Sequence, residues 1–483
     1  MKKHHLSFIL LLLPFAVLGQ DCDCASNLKW VRETFEANDA GFSYALSQKG
    51  QEAYEQHNKA YEGKAREIDD LQECMQTLEN WLAFFRSGHI GIQPTQSEGP
   101  VEVSAAQSEA DIRKSFADWE KLEVDVPAFL EYLNTKTTHD FEGVWASGPY
   151  EIGVKKVADA YLGFIIKADG VYWTEGQVKL RIEADGSATY FMRDHSPEHF
   201  EAAELLGNNY LTMGFIDLKR KLPALPPDPE IELHVRAMFN DAPFFDRVDA
   251  NTALLRIPSF SYSEKAAIDS VVLANQELIL QTPNLIIDLR NNGGGSDGSF
   301  QELLPILYTN PIRTVGVEFL STPLNNQRML DFAEKDEYGL DKETRKWARK
   351  SYKKLSKQPG EFVLLSEETV TETAFETVHP FPERIAILIN ENNGSTTEQF
   401  LLAAKQSTKV KLFGTTTAGV LDISNMHYAD APCGEFQLAY SLSRSLRIPD
   451  MAIDDKGIQP DFYIGRDIPK YKWVEFAAER LAR

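Results

Sequence analysis

The sequence predicts a multidomain α+β protein whose C-terminal half is an α/β core. Three observations lead there. The N-terminal quarter has helical periodicity, a middle segment alternates apolar and polar residues between Asp-Gly pairs, and the C-terminal half alternates short apolar strands with helices. At 483 residues, 43% hydrophobic and 25% charged, the chain is long enough for two or three domains. Its 29 glycines and 23 prolines are near average, which excludes disorder or a collagen-like repeat as a description of the whole.

Residues 1–19 form an expected signal peptide. Lys2 and Lys3 are its basic region, Leu6 to Leu18 its apolar stretch, and Val17-Leu18-Gly19 its cleavage positions, with the cut before Gln20. No later stretch approaches the roughly 18 apolar residues that span a bilayer. The expectation is therefore an exported chain, periplasmic or secreted, with no membrane span. Cys22 suits a lipid anchor poorly, because Gln20 and Asp21 stand where small residues are needed. In an oxidising compartment Cys22 or Cys24 is expected to bridge to Cys74. Cys22-x-Cys24 has no further Cys or His cluster to complete a zinc site, so neither metal nor cofactor is expected.

Residues 20–137 are expected as a helical domain. Trp30, Phe35, Leu71, Met75, Leu78, Leu82 and Phe85 recur at helical steps. A polar stretch, Thr95 to Gln107, separates them from a helix start at Ser108-x-x-Asp111 and a helical run towards Leu133. A small antiparallel β domain follows over 138–222, with Val178, Leu180 and Ile182 alternating and turns at Asp169-Gly170 and Asp185-Gly186. Its aromatics, Trp145 and Trp173 among them, read as domain core. The connector Pro223 to Pro229 leads into a core over 223–483. Its expected strands are 254–257, 285–289, 385–389 and 410–413; its expected helices are 263–280, 300–307, 396–407 and, last, 469–481. With 50 Lys and Arg against 72 Asp and Glu, the net charge is −22, which repels phosphate backbones and argues against a nucleic-acid partner.

Two motifs carry chemistry. In Leu285-Ile-Ile-Asp288-Leu-Arg290-Asn-Asn-Gly293-Gly294-Gly295 a buried strand runs into three glycines whose N–H groups can face a ligand. Gly293-x-Gly295-x-x-Gly298, with Glu318 beyond it, also fits a dinucleotide fingerprint formally, although the strand end is too polar for that turn. In Asn390-Glu-Asn-Asn-Gly394-Ser395-Thr396-Thr397-Glu398 a serine sits at a strand-to-helix turn, where free N–H groups favour developing negative charge. Taken alone, Ser395 reads as an N-cap with Glu398 closing a capping box.

Together, and followed by Gly414-x-x-Thr417-Ala418-Gly419 and Lys456-Gly457-Ile458-Gln459-Pro460-Asp461, these motifs resemble the C-terminal-processing, or tail-specific, serine peptidases. The resemblance spans about residues 250–465. It implies a crotonase/ClpP-like ββα core, a polypeptide or peptide substrate, Ser395 as nucleophile, and an oxyanion hole from the Thr396 and Gly294 N–H groups. The best-known branch has a lysine base where this chain has Val420. The resemblance is thus to the tricorn-like Ser–His branch, and Phe85-Arg86-Ser87-Gly88-His89-Ile90-Gly91 looks like its histidine segment. His89 is the expected base, with His427 and His379 as rivals, since a neutral imidazole can take and return the serine proton. Asp454 falls at the position of that branch's orienting acid, with Asp455 and Glu398 as rivals and Ser87 as a candidate bridge. No PDZ-like carboxylate loop is found. Two other classes stay open: a non-catalytic binding protein on the same fold and a carboxylesterase.

Overall fold

The computed structural model describes residues 23–95 and 109–483. The expected signal peptide, Cys22 and most of the polar stretch after Thr95 lie outside the described residues. The chain divides into two units: residues up to 96 with 241–467 and 474–483, and residues 97–240 with 468–473. The helical segment expected as one domain over 20–137 is thus shared between them.

The first unit is built on a six-stranded sheet in which Thr252–Arg256, Asn284–Asp288, Arg384–Ile389 and Val410–Gly414 are parallel neighbours in chain order. Ile286 pairs with Leu254 on one side and Ala386 on the other, and Ile387 with Leu412. These strands are continuously apolar because both faces are covered; Leu285, Ile287, Ile385, Ile387 and Leu412 belong to one buried cluster with Phe300 and Phe400. The parallel order puts the C-terminal ends of the second and third strands side by side, and both chemical motifs begin there. The expected helix 300–307 is instead a 3-10 segment, Asp297–Leu303, ending in one α turn, Leu304–Leu307, since Pro305 provides no amide to extend the ladder backwards.

The same unit holds a five-stranded antiparallel sheet around the long strand Phe436–Ser445, which pairs with Ile423–Asp430 and with Gly91–Pro94. The N-terminal helices Cys24–Asn38 and Leu71–Leu82 pack on it through Val31, Phe35, Leu78 and Trp81, all fully buried with Phe436 and Tyr440. Each such side chain stabilises the contact by roughly 1.5–3 kcal/mol. Asp23 and Asp70 cap the two helices by accepting the Ser26 and Glu73 N–H groups, and a Cys24–Cys74 disulfide ties one to the other. The pairing of Gly91 with Ala439 then fixes where the segment 86–90 must lie.

The second unit is a nine-stranded antiparallel sheet with the helix Val126–Thr135 packed by Phe129 against Val144 and Phe164. Asp185-Gly186 is a hairpin turn, as expected. Asp169-Gly170 instead opens a longer loop, whose Val171, Tyr172 and Trp173 N–H groups all donate to the Asp169 carboxylate. Trp145 and Trp173 are fully buried, as befits core residues. Lys179 breaks the expected alternation: it too is fully buried, donating to the Phe191 carbonyl at 2.8 Å with its ammonium 4.0 Å from the Trp173 ring.

Candidate active site

Ser395 ends the turn between the strand Arg384–Ile389 and the helix Thr396–Ala404, at φ 55° and ψ −124°. A non-glycine residue in that region is strained, and the turn is held by its surroundings. Asn393 donates to the Leu289 and Asn292 carbonyls, and Thr397 Oγ1 donates to Asn292. The Ser395 side chain makes no capping bond to its own helix, so the simple N-cap reading fails. Its Oγ lies 3.1 Å from His89 Nε2.

His89 also has a positive φ, 56°, and its main chain is clamped. Arg86 forms a buried two-pronged pair with Asp39 at 2.8 and 2.7 Å and donates to the Gly88 and His89 carbonyls. Ser441 Oγ donates to the His89 carbonyl at 2.9 Å. The imidazole Nδ1 is 2.8 Å from the Ile423 carbonyl oxygen. A carbonyl only accepts, so Nδ1 carries the proton and Nε2 is left to accept from the serine. Burial, with the Arg86 charge adding to it and the Ile423 carbonyl opposing, holds the imidazole pKa below its usual value, which keeps it neutral.

The expected acid is placed differently. Asp454 Oδ1 accepts the Leu421 and Asp422 N–H groups at 2.6 Å each, and its Oδ2 accepts that of Ile423 at 3.1 Å; none of these bonds is to His89. Burial, joined by the neighbouring Asp422 charge, pushes Asp454 up to about 6 against the pull of those N–H groups. Asp422 answers from the other side, accepting the Ile453 and Asp454 N–H groups at 2.6 and 3.0 Å and pairing with Arg447 at 3.0 Å. The two aspartates staple one loop to the other, and the Ile423 carbonyl lies at the end of the stapled segment. Neither rival acid is hydrogen-bonded to the imidazole. Asp455 accepts from Ser87 Oγ at 2.8 Å, so Ser87 is no bridge to His89. Glu398 accepts from Thr417 Oγ1 and from the Gly419 and Val420 N–H groups. Among the rival bases, His427 is buried against Tyr440, and Lys409 donates to the His379 carbonyl; the histidine bonded to Ser395 is His89.

The glycine run meets the serine. A side chain at Gly294, where φ is +110°, would lie 2.9 Å from Ser395 Cβ and 3.0 Å from the Thr396 nitrogen. The Gly294 N–H, however, donates to Asn292 Oδ1 at 3.0 Å, a departure from the expected pair of free oxyanion donors. Thr396 N–H opens the serine helix, where a first turn leaves its donors without helical partners. The dinucleotide fingerprint gains nothing: the run continues into a 3-10 segment, and Glu318 pairs with Arg444 at 2.6 Å. Val420 fills the place of a lysine base, with its methyls so close to Gly88 and Gly394 that a Cβ on either would meet them at 2.3 and 2.6 Å. Among the described residues no group of three or more His, Cys, Asp or Glu could hold a metal ion, and no helix is long and apolar enough to cross a membrane.

Asp39, Arg86, Asp422 and the Ile423 carbonyl were not singled out from the sequence. Their partners lie tens to hundreds of residues away or are main-chain atoms, so no local spacing marks them.

A family model, peptidase family S41, matches residues 251–464. The structure is similar to that of mature CPAF complexed with lactacystin, at TM-score 0.50 and 14% identity over 95% of this chain and 97% of that one. It is also similar to the photosystem II D1 C-terminal processing protease, at TM-score 0.40 and 12% identity over 96% of this chain and 98% of that one, and to the tricorn protease, at TM-score 0.42 and 12% identity over 95% of this chain and 37% of that one. No curated protein sequence matches the chain.

Proposed function

We propose, from the premise that the chain belongs to peptidase family S41 and is a serine-type peptidase, that it is an exported enzyme hydrolysing polypeptides through Ser395 and His89. The observation that carries this reading is the 3.1 Å contact between Ser395 Oγ and His89 Nε2, with Nδ1 committed to a carbonyl. That geometry is short enough for proton transfer. It also weighs against a binding protein that had merely kept the fold.

Ser395 Oγ attacks the peptide carbonyl as its proton passes to His89 Nε2. The imidazolium then protonates the leaving amine, and a water deprotonated by His89 releases the acyl group. Negative charge on the tetrahedral oxygen is met by the Thr396 N–H at the helix start, and by the Gly294 N–H once it turns from Asn292 Oδ1. The imidazolium is stabilised by the Ile423 carbonyl rather than by a carboxylate in contact. Asp454 is a positioning residue here, holding that carbonyl through the amides of 421–423.

The test is cleavage of an unfolded protein by the purified chain beside Ser395→Ala and His89→Ala. Each variant should lose about 10⁴-fold or more of the rate. Equal cleavage by wild type and Ser395→Ala would overturn the assignment, and cleavage of short esters with none of peptides would favour the esterase.

A further inference from the structure

The chain is acidic, at −22, yet one of its helices is not. Lys342–Leu355 runs between the second and third strands of the parallel sheet and carries Lys342, Lys346, Arg349, Lys350, Lys353 and Lys354 on its surface, all exposed. At 3.6 residues per turn these six fall within about 140° of arc, which also holds Glu343. Ala348, Ser351 and Leu355 are buried on the opposite side. Trp347, 43% exposed, flanks the stripe and offers it an apolar edge.

Arg349 donates to the Ala333 carbonyl at 2.9 Å; the five lysines are not explained by stability. Cations four residues apart, as 342 and 346, 346 and 350, 349 and 353, and 350 and 354 are, repel one another on a helix. Lys353 and Lys354 lie in the last turn, where the helix dipole favours positive charge; the other four lack that compensation. Of the six, Lys346 has an ion-pair partner, Glu343 at 3.6 Å. Among the described residues none of the other five has a carboxylate within 4.0 Å, in a chain with 72 acids to draw on.

We propose that this face is an exosite that docks acidic segments of polypeptides, holding a protein substrate to the enzyme away from Ser395. The proposal rests on the peptidase reading for the source of the segment, not for the binding itself. Charge complementarity selects an anionic partner, and the shape of the stripe selects a single extended chain. The helix is about 21 Å long, the span of six or seven extended residues. A strand laid along it stays within a Debye length, about 8 Å, of the cations, with acids elsewhere on the protein largely screened. An anionic bilayer is a plane, and it would set much of the remaining acidic surface against itself.

The full chain carrying Ser395→Ala, which cannot consume the probe, is titrated with a labelled peptide of about ten glutamates and with a Gly-Ser peptide of equal length. Vesicles of anionic phospholipid and a DNA duplex are titrated in parallel. Lys346→Glu/Lys350→Glu/Lys353→Glu is added in the same background, with circular dichroism to check folding; the milder triple Gln variant serves if it fails. Expected is binding of the glutamate peptide alone, weakening as salt rises from about 50 to about 200 mM and at least about tenfold weaker in the triple variant. No binding at low salt, equal binding by the variant, or preference for vesicles or DNA overturns the proposal. Hydrolysis of a short neutral peptide by the Ser395 enzyme reads the active site separately and should be unchanged by the triple substitution. If that hydrolysis is absent while the glutamate peptide binds, the peptidase reading fails and the exosite stands.

Discussion

Replacing Asp454 by asparagine separates indirect from direct support of His89. The carboxylate accepts three main-chain N–H groups, two on Oδ1 at 2.6 Å and one on Oδ2 at 3.1 Å. Asparagine keeps one acceptor oxygen of nearly the same shape but sets an NH₂ group against the Ile423 N–H. A buried N–H left without its partner costs about 1–3 kcal/mol. If that whole cost appears as displacement of the Ile423 carbonyl from Nδ1 in the transition state, kcat/KM falls roughly 5- to 150-fold. Since Asp454 does not touch the substrate in this scheme, KM should barely move. A carboxylate in contact with the imidazole behaves differently, its loss costing about 10⁴-fold. The assay is steady-state hydrolysis of a peptide near neutral pH, with thermal melting to confirm that the variant is folded. A loss beyond about 10³-fold in a folded variant would refute the indirect role and put Asp454 on the ring; no change would refute the staple altogether.

Four further outcomes are expected. In the proposed scheme His89 serves as base only when neutral, and burial places its pKa below the usual value, so kcat/KM should fall as pH drops through a point below that of free histidine. Asp454 gains its proton at about 6 and then loses acceptor strength, so the acid limb should be steeper than for one proton and return to a single-proton slope in Asp454→Asn. Gly294→Ala puts a methyl within 3.0 Å of Ser395 Cβ and the Thr396 nitrogen, at φ +110°; about a hundredfold loss of kcat is expected, and full activity would remove the glycine run from the site. Cys24→Ser opens a disulfide whose partners are 50 residues apart, which should lower unfolding stability by about 4 kcal/mol, read from the denaturant midpoint; an unshifted midpoint would rule the bridge out as a restraint.

Legibility followed the range of the interactions involved. The parallel strands were readable because a strand covered on both faces is continuously apolar, and the run from Leu285 to Ile287 shows this directly. The serine turn and the glycine run were readable because each is a short contiguous signature. The helix expected at 300–307 and the turn expected at Asp169-Gly170 are the exceptions. Pro305 stops the first as an α-helix, and the Asp169 carboxylate gathers three amides into a loop where a two-residue turn was expected. Lys179 is invisible as a core residue because its burial depends on a carbonyl and a ring contributed by another strand and a loop.

The sequence by itself determined the chemistry on offer: a serine at a helix start, glycines able to approach it, a histidine after a helix, and a valine where a lysine base would stand. These are local covalent facts, set by residue type and by a few neighbouring dihedrals. Which groups meet was decided only by the tertiary structure. Packing of Phe35, Leu78 and Trp81 on the Phe436–Ser445 sheet carries His89 across 306 residues of chain to Ser395. The same packing gives its Nδ1 a main-chain carbonyl as partner, while Asp454 turns to three amides. A carbonyl has no side-chain identity, so its part in the site is written in the backbone path and in no single residue letter.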